Sequence, residues 1–156
     1  MSPLVVNRKL TSKYDVYVGR PTKWGNPFRE GVDGTRREVI TKYAAYVLQH
    51  DALCRALPEL RGKMLACSCR PKECHADVLA TLANSTTEGW RARSGWEPSW
   101  WCDVGRGVAD SWFMHVYSNG EWVSGPGGRN APVASVELGK YLAVERWVSR
   151  YVFKEL

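Results

Sequence analysis

The sequence has no long apolar run. No window of its 156 residues approaches the roughly 18 to 20 apolar residues of a membrane-spanning helix. The opening residues, MSPLVVNRKL, lack the apolar centre of a secretory signal peptide. These absences lead us to expect a soluble, cytoplasmic protein with no membrane partner. Internal repeats and low-complexity tracts are also missing, so neither a repeat array nor a biased tail organises the chain. Nor is the cysteine count even: the five are Cys54, Cys67, Cys69, Cys74 and Cys102. An odd set in a reducing compartment reads as thiols, metal ligands or catalytic groups rather than a disulfide framework.

What is present is globular. Apolar residues make up 44% and charged residues 24% of the chain, which argues against wholesale disorder. A chain of this length buries roughly two-thirds of its unfolded surface. The net charge is +6, and up to Lys42 nine Lys or Arg stand against four Asp or Glu. That balance favours an anionic partner: a nucleotide-like small molecule, nucleic acid or phosphate. Six of the eight tryptophans lie between Trp90 and Trp122. They read either as an aromatic core in a segment poor in aliphatics or as a stacking surface for bases or sugars.

Strands are expected at Leu4–Val6 and Tyr14–Val18, where β-branched and aromatic residues dominate. The Gly/Pro-shaped loop GRPTKWGNPF (Gly19–Phe28) follows. Thr35 with Glu38 three residues on fits a capping box, and Val39, Ile40, Tyr43, Ala44 and Val47 continue at helical spacing to about His50. A short helix over Asp51–Leu57, a buried strand over Lys63–Cys69 and a helix over Cys74–Ala83 come next. The fold class expected is α/β: residues 1–84 as a small Rossmann-like layered unit. Residues 85–156 form a Trp-rich extension, separate or packed on the first as one domain. In it, Ser118-Asn119-Gly120 joins Trp112–Tyr117 to Glu121–Ser124 as a hairpin. An amphipathic helix follows from about Val133, weakened by Gly139.

Three readings stand for CSCRPKECH (Cys67–His75). Cys67 and Cys69 share one face of a strand, and Cys74 and His75 begin a helix just beyond. Cys69, Cys74 and His75, with Cys67 as a fourth, can therefore converge as zinc ligands. Alternatively, Cys74 at a helix N-terminus beside Arg70 and Lys72 is a reactive thiolate, with His75 and Asp77 as acid/base partners. Or the cysteines are small core residues. In the glycine-rich loop, Gly19, Arg20 and Lys23 can grip an anion, Trp24 can stack on a base and Asn26 can orient the ligand. Thr35 and Arg36 open a helix, a natural phosphate site. His50 and His115 read as structural.

Taken together, VYVGRPTKWGNPF, DGTRREVITKYAAYV and LRGKMLACSCRPKECHADVLATLAN resemble a small bacterial and phage domain family of unknown function. Its pattern is a Gly-Arg-x-x-x-Trp-Gly-Asn-Pro-Phe loop, a Gly-Thr-Arg helix start and a Cys-x-Cys-x-Pro-x-x-Cys-His segment. The likeness spans about residues 14–84. Ser68 stands where the pattern places a bulky tryptophan, so the pocket wall differs there. By position, the resemblance implicates Gly19, Arg20, Trp24–Phe28, Thr35, Arg36, Cys69, Cys74, His75 and Asp77. We therefore expect a basic pocket that binds, and processes, a nucleotide or nucleoside derivative. The alternatives are a non-enzymatic nucleic-acid-binding module and a phage protein that docks on a host protein through its Trp-rich half.

Overall fold

The computed structural model describes residues 5–95, 97–105 and 111–154. Leu4, expected to open the first strand, and Trp96, one of the clustered tryptophans, lie outside the described residues. The chain is an α/β protein with one parallel and one antiparallel sheet. Strands β1 (Val5–Asn7) and β2 (Val16–Tyr17) both run parallel to β3 (Leu65–Cys67), which lies between them. The crossover from β2 to β3 carries α1 (Arg36–Gln49), α2 (Asp51–Ala56) and a 3-10 turn at Leu57–Leu60. After β3 comes α3 (His75–Ala83), which packs on β3, β1 and α1.

Local sequence explains these ends. Glu38 N–H donates to the Thr35 hydroxyl and Thr35 N–H to the Glu38 carboxylate, the reciprocal cap expected from their spacing. Cys74 is the N-cap of α3, and Asp77 completes its capping box. The expected strand over Lys63–Cys69 contracts to three residues, all buried.

The second half is more ordered than its composition suggests. Strands β4 (Arg91–Arg93), β5 (Ser99–Gly105), β6 (Ser111–Tyr117) and β7 (Trp122–Ser124) form an antiparallel meander. The β6–β7 hairpin is the expected one. The polar, Gly- and Pro-broken stretch that follows Asn84 carries β4 and the start of β5. In β5, Cys102 and Val104 point into the core while Asp103 and Gly105 are part-exposed, a period of two that neighbouring Trp100 and Trp101 obscure. Helix α4 (Val136–Tyr151) starts three residues later than expected, where Ser135 accepts a hydrogen bond from Leu138 N–H. It packs on β6, β7 and α1, and buried residues of both halves form one continuous cluster. Trp90 and Trp122 are buried within it and Trp100 and Trp112 pack against it, which favours the core reading of these aromatics.

Gly139 lies in close contact with β6. A Cβ there would lie 2.8 Å from Val116 Cγ1 and 3.7 Å from Val133 Cγ2. Helix propensity alone says that Gly139→Ala should stabilise by about 1 kcal/mol. Overpacking against a buried, branched Val116 reverses that sign, and we expect a net loss of about 1–2 kcal/mol. A thermal melt checks this; a raised midpoint in Gly139→Ala contradicts the packing.

Candidate functional site

Parallel pairing sets the C-terminal ends of β2 and β3 side by side. In open α/β sheets this is the edge where ligands bind. The chain leaves β2 through the loop over residues 18–35 and β3 through the loop over residues 68–74. Between them lies a cavity of about 300 Å³, whose wall includes Gly19, Arg20, Asn26, Arg36, Cys69 and Cys74.

The first loop is held in shape by its own polar groups. Arg20 Nε donates to the Asn26 carbonyl at 2.8 Å, and Nη2 to the Phe28 carbonyl at 3.4 Å. Asn26 Nδ2 donates to the Val39 carbonyl, and Asn26 Oδ1 accepts from Phe28 N–H. These bonds fasten the loop to itself and to α1. The Tyr17 hydroxyl reaches back to the Arg20 carbonyl at 3.1 Å. It crosses so close to Gly19 that a Cβ there would meet it at 2.2 Å.

Arg36 joins this loop to the second. Its Nη1 donates to the Glu73 carbonyl at 3.0 Å, and its Nη2 pairs with Glu30 at 2.8 Å. Arg37 pairs with the Glu73 carboxylate at 3.1 Å. A guanidinium serves this role well because its five donors are fixed in one plane.

The thiol wall has a definite charge distribution. The Cys69 thiol is held well below the usual thiol range by hydrogen bonds from Cys67 and Cys74, aided by Arg36. Cys74 is pushed strongly up, because its hydrogen bonds with Cys67 and Cys69 favour the protonated thiol and burial adds to that. Between Cys69 and Cys74 the thiolate is therefore favoured on Cys69. Burial lowers the His75 pKa and outweighs its bond to the Val18 carbonyl. That bond, at 2.8 Å from Nε2, makes Nε2 the protonated nitrogen, since a carbonyl only accepts. Nδ1 is then free to accept from Cys74 Sγ at 3.5 Å. Tyr43 closes the edge of the His75 ring, with centroids 5.0 Å apart.

The cavity gathers some of the expected residues and not others. Gly19, Arg20, Asn26, Arg36, Cys67, Cys69, Cys74 and His75 line it. Trp24 does not: its ring is buried in the core and its carbonyl accepts from the Tyr43 hydroxyl at 2.6 Å. Lys23 turns away to Glu59 at 3.0 Å. Thr35 spends its hydroxyl on the α1 cap. Asp77 pairs with Arg70 and accepts from Cys74 N–H, so it braces the second loop. The zinc set meets a different geometry: among the described residues, no group of three or more His, Cys, Asp and Glu side chains is arranged to hold a metal ion. His75 Nε2 bonds to the Val18 carbonyl. Tyr17, Phe28, Glu30, Ser68 and Glu73 line the cavity too. Sequence reasoning missed the acids because their arginine partners are settled only by the fold.

A parallel-sheet α/β domain with two signature loops at one edge is thus the class of protein defined here. The chain belongs to the family described as "Domain of unknown function (DUF4326)", whose profile matches residues 6–85. It is similar to a protein of Enterobacteria phage T4 described as "Uncharacterized 12.4 kDa protein in nrdA-td intergenic region". The two are 35% identical over 85 residues, covering 51% of this chain and 76% of the phage protein. No solved structure matches the chain.

Of the five cysteines, Cys54, Cys67, Cys74 and Cys102 are buried and Cys69 is half-buried. Iodoacetamide should therefore modify Cys69 first. Because its thiolate already prevails at neutral pH, the rate should be nearly flat from pH 7 to 9, unlike that of an ordinary thiol, which titrates near 8.5. Peptide mapping after partial alkylation checks this. First modification at Cys74, or a steep rise in rate with pH, contradicts the charge distribution.

Proposed function

We propose that the cavity between the two loops binds a nucleotide or nucleoside derivative. The observation that carries this reading is the position of Arg36. Its side chain is 28% exposed, it lies at the ends of two parallel strands, and its carboxylate partner Glu30 is 52% exposed. A phosphate can displace so exposed a carboxylate and take the Nη2 donors, while Nη1 stays on the Glu73 carbonyl. Phe28, Val39 and Ile40 give the same cavity an apolar wall that suits a base or sugar face. Arg20 and Asn26 act indirectly, by shaping the loop. Processing of the ligand falls to the thiol wall, where Cys69 is the group a ligand reaches, with Cys74 and His75 behind it and Asp77 holding the helix start.

A thermal-shift screen against nucleotides, nucleosides and short oligonucleotides tests this. A ligand that binds only the native state at about 100 times its Kd adds about 2.7 kcal/mol of stability. We expect a midpoint rise with a mononucleotide and its loss in Arg36→Ala. Cys69→Ser should keep the binding, because it preserves the shape of the wall. A response to oligonucleotides alone, falling steeply with salt, would replace this reading with a nucleic-acid-binding module. No response to any of the three classes would overturn it.

A further inference from the structure

Three cysteines line the strand-end cavity, and the fold brings their sulfurs together. Cys67 is the last residue of β3, Cys69 follows two residues on, and Cys74 caps α3. The connecting chain turns back on itself, with Lys72 N–H donating to the Cys69 carbonyl at 2.9 Å. Asn7 Nδ2 holds this turn through the Arg70 carbonyl at 2.6 Å, and the Arg70–Asp77 pair ties it to α3. The Cys69 sulfur is thereby kept in hydrogen-bonding contact with the sulfurs of both Cys67 and Cys74.

Access separates the three. Cys69 is half-buried, whereas Cys67 and Cys74 are 0% and 1% exposed. An accessible thiol backed by a second thiol is the arrangement in which a sulfenic acid is trapped as a disulfide. Cys74 is the better placed of the two to trap it. His75 Nδ1 lies 3.5 Å from Cys74 Sγ and can take its proton.

We infer that Cys69 and Cys74 form a reversible peroxide-sensing pair: a hydroperoxide oxidises Cys69, and Cys74 closes a disulfide onto it. The Cys69 sulfur attacks the terminal peroxide oxygen and the O–O bond breaks. The leaving alkoxide or hydroxide takes a proton from water, and Cys69 is left as a sulfenic acid. Cys74 Sγ then attacks Cys69 Sγ while His75 Nδ1 takes the Cys74 proton. The S–O bond breaks, and the departing hydroxide carries that proton away as water. The two sulfurs lose two electrons, and the peroxide gains them. In a reducing compartment such disulfides are transient and serve sensing or catalysis. Closure also changes the cavity wall. It removes an ionisable thiol beside Arg36. It commits Cys74 Sγ, which accepts from Ala76 N–H at 3.5 Å, to a new bond. The inference is independent of the ligand proposed for the cavity.

In the test, the reduced full chain is freed of small thiols and treated with hydrogen peroxide. It is then quenched with N-ethylmaleimide and digested with trypsin in the absence of reductant. Cleavage after Lys72 separates Cys69 from Cys74. Their disulfide therefore appears as two linked peptides, lighter by two hydrogens than the free pair. We expect that link, with maleimide on Cys67, and its disappearance after dithiothreitol. Dimedone should label Cys69 strongly in Cys74→Ser, where the sulfenic acid has lost its partner; serine is itself a good N-cap. Cys69→Ser should abolish the link and Cys67→Ser should retain it. Oxidation of Cys69 straight to the sulfinic acid, with no link, would overturn the inference. So would a link through Cys67, Cys54 or Cys102, a link between two chains, or thiols that resist peroxide altogether. The wild-type peptide map decides the matter even where a variant does not fold.

Discussion

Arg36 is the residue on which the geometry of the strand-end cavity depends. It reaches the Glu73 carbonyl in one loop and the Glu30 carboxylate in the other. Arg37 adds a second tie to Glu73. Both arginines extend from the first turn of α1, whose start is fixed by the Thr35–Glu38 box. Two loops far apart in sequence are thereby referred to one helix end. The arrangement leaves a cation at the cavity while its partner Glu30 remains half in water. A buried ion pair would be costly to break; this one, with Glu30 half exposed, is not buried.

The opposite wall complements that cation. Buried thiols ordinarily stay protonated because burial disfavours the anion. Here hydrogen bonds from Cys67 and Cys74, aided by Arg36, favour the anion on Cys69. His75 supports the arrangement as a neutral imidazole. It donates to Val18, and its Nδ1 lies 3.5 Å from Cys74 Sγ. Cys74 sits at a helix N-terminus, which in isolation favours a thiolate there. In this fold its sulfur serves the cap and the imidazole, and it is 1% exposed. The local dipole is outweighed by its hydrogen bonds with Cys67 and Cys69 and by burial.

Much of the site was legible because its motifs are local. The Thr35–Glu38 spacing announces a cap, Cys74 and His75 announce a helix start, and the glycines and prolines between Gly19 and Phe28 announce a shaped loop. The roles assigned within the motifs depended on distant partners and were not legible. Lys23 looks like an anion ligand until Glu59, 36 residues on, takes it. Trp24 looks like a stacking platform until α1 covers it and Tyr43 binds its carbonyl. Asp77 looks like a general base until Arg70 pairs with it. In the second half, the hairpin turn Asn119-Gly120 was legible, whereas β4 was not. Its three residues, Arg91–Arg93, are exposed and carry no apolar alternation. Only pairing with Ser99–Trp101 makes them a strand.

The central claim is that the two loops form one ligand-binding site. Amide hydrogen exchange with and without a saturating nucleoside monophosphate tests it most directly. The account predicts added protection in two separated stretches, 19–28 and 68–75, with β5 and β6 unchanged. Binding that protects only the antiparallel sheet, or only one of the two loops, would contradict it.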